Sequence, residues 1–235
     1  MLATITAGLG LKAQNVVYDE NAEVRTLPAF TGIDVSGTIS LYLAQGTSQG
    51  VAVSAGEAKY NSKIKTEVKN GILQISVDGG MWNSFNWSNK KLKAYVTVTD
   101  LSSLEVSGAS YITTTGTIKS NALKLEISGA SEIKADLQVN TLNVDISGAS
   151  IAHLAGAAKD GNIEASGACK LSGYEMKLDK CRVSCSGASV VKVMVNNELN
   201  ADASGGSAIY YKGTPTNKNL NTSAASSIKY KGDDD

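Results

Sequence analysis

Four carboxylates recur along the chain at nearly constant spacing: Glu105, Glu126, Asp145 and Glu164, separated by 21, 19 and 19 residues. If successive repeats stack, these side chains stand about 5 Å apart, the spacing of neighbouring strands in a sheet. Two carboxylates at such a separation can serve glycoside hydrolysis, one as acid and one as nucleophile. They can also attract a cation, but calcium needs six or more oxygens converging on a point, which a linear row supplies poorly. The alternative is a solvated outer stripe, balanced by Lys124 and Arg182 on the same face, since exposed strand faces are commonly charged.

The single histidine, His153, shares a column of the repeat with Lys134, Ser172 and Lys192. No cysteine, serine or acid stands at a spacing that would make it a catalytic base, so it reads as a surface histidine. Cys169, Cys181 and Cys185 cannot all pair with one another and lack metal-ligand spacing. Cys181 and Cys185 fall in apolar columns, which points to buried, inert thiols. A Cys169–Cys185 disulfide would have to join two different columns of neighbouring coils, which its geometry disfavours. Both tryptophans sit in the Gly/Asn/Ser-rich stretch 79–88, with Trp82, Phe85 and Trp87 close together. These rings could stack on a sugar or a partner, or fold back to plug the end of the core. No phosphate loop, nucleophile elbow or zinc motif is present, so no cofactor and no metal is expected.

The elements that position these residues follow from a repeat. Ser-Gly-Ala-Ser begins at Ser107, Ser128, Ser147 and Ser186, with variants at Ser166, Ser204 and Ser223, giving intervals of 21, 19, 19, 20, 18 and 19 residues. One residue before the first Ser stand Val106, Ile127, Ile146, Ala165, Cys185, Ala203 and Thr222. Three before stand Leu104, Leu125, Val144, Ile163, Val183, Ala201 and Leu220, and five after stand Ile112, Ile133, Ala152, Leu171, Val191, Ile209 and Ile228. Polar residues lie between these columns, a period of two that marks half-buried strands. So short a repeat leaves little room for a returning helix, so equivalent strands must stack in parallel. The expected fold is all-β: a right-handed parallel β-helix with coils of about 19 residues, the hand following from the crossover rule. The glycine of each tetrapeptide serves a corner, and the serines can form hydroxyl ladders or bond local backbone. Asn143, Asn162, Asn200 and Asn219 share an outward column and could bond along the rod as stacked amides.

Residues 30–100 alternate less regularly. Asn70-Gly71, between the runs 64–68 and 72–77, is a hairpin signal. A less regular N-terminal β cap with some antiparallel pairing is expected, because a bare terminal coil is an aggregation edge. The chain divides as 1–14, a signal-peptide remnant or flexible terminus; 15–100, the cap and first coils; 101–232, regular repeats; and 233–235, an acidic tail, all within a single domain. The short apolar run Leu2 to Leu11, with Ala13 placed to precede a cleavage site, favours export. Lys plus Arg and Asp plus Glu are equal at 22 each, which lacks the basic excess of a nucleic-acid binder.

The repeated Ser-Gly-Ala-Ser, set in Leu-x-Val/Ile-x-Ile/Val contexts and opened by Phe30-Thr31-Gly32-Ile33-Asp34-Val35-Ser36-Gly37, resembles the head GIN domain family of auto-transporter adhesins, common in Bacteroidetes. The resemblance covers about residues 25–231. It implies a β-helical fold and an exported, cell-envelope location: cell surface, outer membrane-associated or periplasmic. It carries no catalytic motif. The expected function is an adhesin-like binding or structural module without catalysis, its partner a glycan or an extracellular-matrix or cell-surface protein, with homo-oligomers a further option. The alternatives are a polysaccharide lyase or hydrolase using the acidic column, and a self-associating envelope scaffold.

Overall fold

The computed structural model describes residues 19–77 and 91–232. The first strands are β1 (Glu23–Arg25), β2 (Gly32–Val35), β3 (Ser40–Gln45) and β4 (Gly50–Ser54). A 3-10 turn at Ala58–Lys63 leads to β5 (Ile64–Lys69), β6 (Ile72–Val77), β7 (Lys93–Val98) and β8 (Ser103–Val106). The regular repeats are β9 (Tyr111–Ile127), β10 (Glu132–Ile146), β11 (Ile151–Ala165), β12 (Lys170–Cys185) and β13 (Val190–Ala203). β14 (Ala208–Lys212), β15 (Asn217–Thr222) and β16 (Ser227–Tyr230) complete the stack.

The alternation in sequence becomes alternation in burial. Along β10 the buried side chains are Ile133, Ala135, Leu137 and Val139; the phase then slips by one residue and resumes at Leu142, Val144 and Ile146. One face points inward along each straight run, and the slip is where the chain turns from one side of the coil to the next. β9 to β13 pair in parallel, each with the next, so that Ile133 lies between Ile112 and Ala152, and Val144 between Leu125 and Ile163. The result is a β-solenoid of about seven turns with coils of about 19 residues. One continuous core fills it, from Phe30 to Tyr211.

The Ser-Gly-Ala-Ser corner is backbone chemistry. Gly129 has φ +75°, and a Cβ added there would sit 2.3 Å from the carbonyl oxygen of Gly108 in the preceding coil. The second serine is buried in five of the copies, at Ser110, Ser131, Ser150, Ser189 and Ser207. Its hydroxyl donates to backbone carbonyls: Ser150 Oγ to Gly129 O at 3.3 Å, Ser207 Oγ to Ser204 O at 2.7 Å. The serine columns therefore bond backbone. Cys169 takes the same place, its Sγ 2.9 Å from the Ser166 carbonyl. All three cysteines are buried and free. Side-chain amides bond between coils at Asn140 Nδ2 to Asn121 Oδ1, 2.7 Å, and Asn221 Nδ2 to Asp202 Oδ1, 2.8 Å, whereas Asn200 bonds Glu198 on its own strand.

At the N-terminal end the stacking order departs from chain order. β2 lies between β6 and β8, and β3 between β7 and β9, all in parallel. The coil made by β6 and β7 thus sits outside that of β2 and β3. Antiparallel strands close this end: β5 on β6, β4 on β7 and β1 on β4. Asn70 (φ 51°) and Gly71 (φ 75°) form the β5–β6 turn, the paired positive φ of a two-residue hairpin.

Candidate functional site

Two sets of polar side chains stand out on the solenoid wall, and they differ in shape. The first is the acidic row. Register places Asp34, Glu105, Glu126, Asp145 and Glu164 side by side on β2, β8, β9, β10 and β11. Asp34 extends the row by one beyond the four carboxylates read from the repeat; its signal was the copy-like Ile33-Asp34-Val35-Ser36-Gly37. Burial pushes the Glu105 carboxyl up, helped by the charges of Asp34 and Glu126 and opposed by Lys124. Burial also raises Asp34, against a hydrogen bond from Gln74. Lys124 Nζ stands 3.0 Å from Glu126 Oε2. The row is linear and lies on an outward face. It lines neither the groove described next nor a smaller depression of about 360 Å³ at Phe30 and Gln49. Among the described residues no three His, Cys, Asp or Glu side chains converge to hold a metal ion.

The second set surrounds His153. Register confirms its column: Lys134, His153, Ser172 and Lys192 are successive partners on β10 to β13. This column forms part of a groove of about 530 Å³. Its origin is a pair of bulges. Opposite the single residue Ala135 of β10, β9 has three, Thr114, Thr115 and Gly116. Opposite Leu154 of β11, β12 has two, Gly173 and Tyr174. Towards β13 the excess is larger: Gly173 pairs Val193 while Lys177 pairs Met194, leaving Tyr174, Glu175 and Met176 unmatched. Bulges push the chain out of the ladder and re-aim side chains. They leave β10 and β11 as a lower floor between two raised walls.

The groove is lined by Thr113, Thr114, Lys134, Ala135, Asp136, His153, Leu154, Ala155, Ser172, Tyr174, Glu175 and Lys192. Its cations are held in place. Lys134 Nζ is 3.1 Å from Glu132 Oε1 and 5.4 Å from the Tyr111 ring centre. The hydrogen bond it donates to Glu132, with the charge of that carboxylate, holds the Lys134 ammonium above its ordinary value. Lys192 and Lys212 reach the Tyr174 ring at 5.6 and 5.1 Å, cation–π distances. Burial, then Tyr210, raises the Tyr174 hydroxyl. His153's column is legible in the repeat, whereas Tyr174, Glu175, Asp136 and the threonines carry no signal there that joins them to it. Trp82, Phe85 and Trp87 lie outside the described residues.

The family model for "putative auto-transporter adhesin, head GIN domain" matches residues 29–215. The chain belongs to this family. Among solved structures it is similar to a putative adhesin from Bacteroides fragilis, with a TM-score of 0.83 at 21% identity, covering 89% of this chain and 96% of that one. It is similar also to a putative lipid binding protein from Parabacteroides distasonis, with a TM-score of 0.67 at 17% identity, covering 91% and 98%. A putative adhesin from the same species gives a TM-score of 0.66 at 18% identity, covering 88% and 96%. At these identities the likeness establishes the fold. No curated protein matches. No helix among the described residues is long and apolar enough to cross a membrane.

Proposed function

We propose that this chain is an exported, non-catalytic binding module of the cell surface or outer envelope, which holds a glycan or a matrix or cell-surface protein in the groove beside His153. The observation that carries the reading is the groove itself: an open depression between two bulges, with pinned cations, acceptor carboxylates and the Tyr174 ring on one lining. Shallow polar sites with an aromatic ring suit hydroxyl-rich partners, which need many directional contacts and one stacking surface. Family membership supports the adhesin reading. The name of the lipid-binding neighbour fits this groove less well, since charged and hydroxyl side chains dominate its lining. Trp82, Phe85 and Trp87 are a second candidate contact.

One observation favours a polysaccharide-active enzyme: Glu105 has a raised carboxyl next to Asp34 and Glu126. Against it stands the open, linear setting of the row, which gives a sugar no walls and water no barrier. The scaffold reading draws on the exposed apolar residues Val24, Ile72, Leu220 and Tyr230, which lie on β1, β6, β15 and β16, towards the two ends of the stack. A glycan and matrix-protein array probed with the full chain, read for degradation as well as retention, separates the three. Retention without cleavage, weakened in Tyr174→Ala, is expected. Cleavage that stops in Glu105→Gln overturns the non-catalytic reading, and no retention together with concentration-dependent oligomers favours the scaffold.

A further inference from the structure

Resting on the reading of the groove as the binding site, the geometry points to its ligand class: we infer that it takes a short, uncharged stretch of glycan seated between the two bulges. Charge favours an uncharged occupant. Lys134 and Lys192 share the lining with Asp136 and Glu175, two cations and two carboxylates, with His153 among them. A polyanion would meet Asp136 and Glu175, with Glu132 bonded to Lys134 beside them. A polycation would meet the lysines. An uncharged polyol meets neither penalty and can use both signs: carboxylates accept from hydroxyls, and ammonium groups donate to ring and hydroxyl oxygens.

The lining also suits a sugar ring in its mix of surfaces. The floor and wall present Ala155 and the Tyr174 ring among the polar groups. A sugar ring has one face of C–H bonds and a rim of hydroxyls, so it needs an apolar platform framed by donors and acceptors. Lys192 and Lys212 hold the Tyr174 ring before any ligand arrives, which lowers the ordering cost of binding.

The spacing of the walls bounds the length of the ligand. The bulges stand on β9 and β12, three coil steps apart, or roughly 14 Å at the strand spacing of about 4.8 Å. That span takes about two or three sugar rings. Beyond the walls the lining continues only to Lys192 on β13.

The test is a titration of the full chain with neutral cello- and manno-oligosaccharides of increasing length, with heparin as the polyanion. Affinity is expected to rise up to about three rings and then stay level. It should change less than about twofold between roughly 0.05 and 0.5 M salt, because no net charge is neutralised. Tyr174→Ala and Asp136→Asn should each weaken binding by about tenfold. Lys159→Ala, exposed elsewhere on β11, should bind as the parent does. Binding of heparin in place of the neutral sugars, or affinity that keeps rising with length, overturns the ligand class while leaving the groove as the site. Neutral binding unchanged by Tyr174→Ala and Asp136→Asn overturns the groove itself.

Discussion

The amide nitrogen of Ala130 donates to the carbonyl oxygen of Gly108, one coil earlier, at 2.8 Å. The same bond recurs from Ala149 to Gly129 and from Ala168 to Gly148, each at 2.8 Å. It carries the ladder around the corner, where a side chain on the glycine would lie in the path of the neighbouring carbonyl.

The corner glycine therefore faces two demands, and a matched pair of variants separates them. Gly129 and Gly71 share φ +75°, but a Cβ at Gly71 meets nothing within 4 Å, whereas one at Gly129 meets the Gly108 carbonyl oxygen at 2.3 Å. Gly71→Ala should cost only the left-handed backbone penalty, about 1–2 kcal/mol. Gly129→Ala should cost that plus displacement of a neighbouring coil, about 3 kcal/mol or more. Equilibrium denaturation of both variants checks the order. Equal losses would mean that the corner yields and that stacking does not depend on the missing Cβ.

Acid should loosen the N-terminal cap first. Asp19 accepts hydrogen bonds from Lys93 Nζ at 3.0 Å, Tyr95 Oη at 2.8 Å and Ser54 Oγ at 2.9 Å. Burial alone would raise its carboxyl, but the bonds from Lys93, Tyr95, Ser54 and the Asn21 amide together hold it below the ordinary 3.8. A depressed folded value means that this stabilisation is present above the unfolded value and is lost as pH falls through the folded one. The base limb has the opposite sign. Burial, then the bond to Asp19, pushes the Tyr95 hydroxyl up to about 12. Its contribution is full below about 10 and is lost as pH rises through about 12. Hydrogen exchange of β1 and β4 should show earlier opening below pH about 4 and above about 10. Asp19→Asn should remove the acid limb. An acid limb that persists in that variant would assign it to another carboxylate.

What was legible in the residues was whatever repeats locally. Leu123-Lys124-Leu125-Glu126-Ile127 alternates strictly, and the tetrapeptide spacing set the coil, so β9 to β13 and the rows on them could be read directly. Asn70-Gly71 announced its hairpin because both residues tolerate positive φ. The stacking of β6 and β7 outside β2 and β3 was not legible. Pairing order between distant segments leaves no local pattern, and the stretch between Val35 and Leu104 breaks the repeat. The groove was half visible. The long intervals of 21 and 20 residues, from Ser107 to Ser128 and from Ser166 to Ser186, hold the extra residues of the two bulges. Spacing alone does not say where in a coil an extra residue leaves the ladder. Tyr174 could therefore not be placed beside His153 without coordinates.

The acidic row should be a source of strain. Glu105 carries a raised carboxyl beside Asp34 and Glu126, so at neutral pH its charge is less favourable in the folded chain than in the unfolded one. Glu105→Gln keeps the shape and removes one of them. Stability at pH about 7 should rise by less than about 1 kcal/mol, small because the side chain is exposed and solvent screens it. The gain should shrink as pH falls through the ordinary carboxylate range, where the parent also loses the charge. Thermal denaturation at both pH values checks this. A loss of stability in Glu105→Gln would mean that Lys124 or another cation makes the carboxylate favourable.

The cysteines offer a contrast between two buried thiols in different columns of the repeat. Cys169 stands in the serine column, and its Sγ lies 2.9 Å from the Ser166 carbonyl. A serine there finds an acceptor in place, as its counterparts Ser150 and Ser189 do. Cys181 stands in an inward apolar column opposite Leu199, 2% exposed, and burial alone pushes its thiol up to about 12. A hydroxyl placed there is buried among apolar side chains, at a cost of about 1–3 kcal/mol when it finds no partner. Cys169→Ser should therefore leave the denaturation midpoint within about 0.5 kcal/mol of the parent, while Cys181→Ser should lower it clearly. Equal effects would mean that the serine column tolerates its residues by size alone, and that the bonds to the preceding carbonyls contribute nothing to the corner.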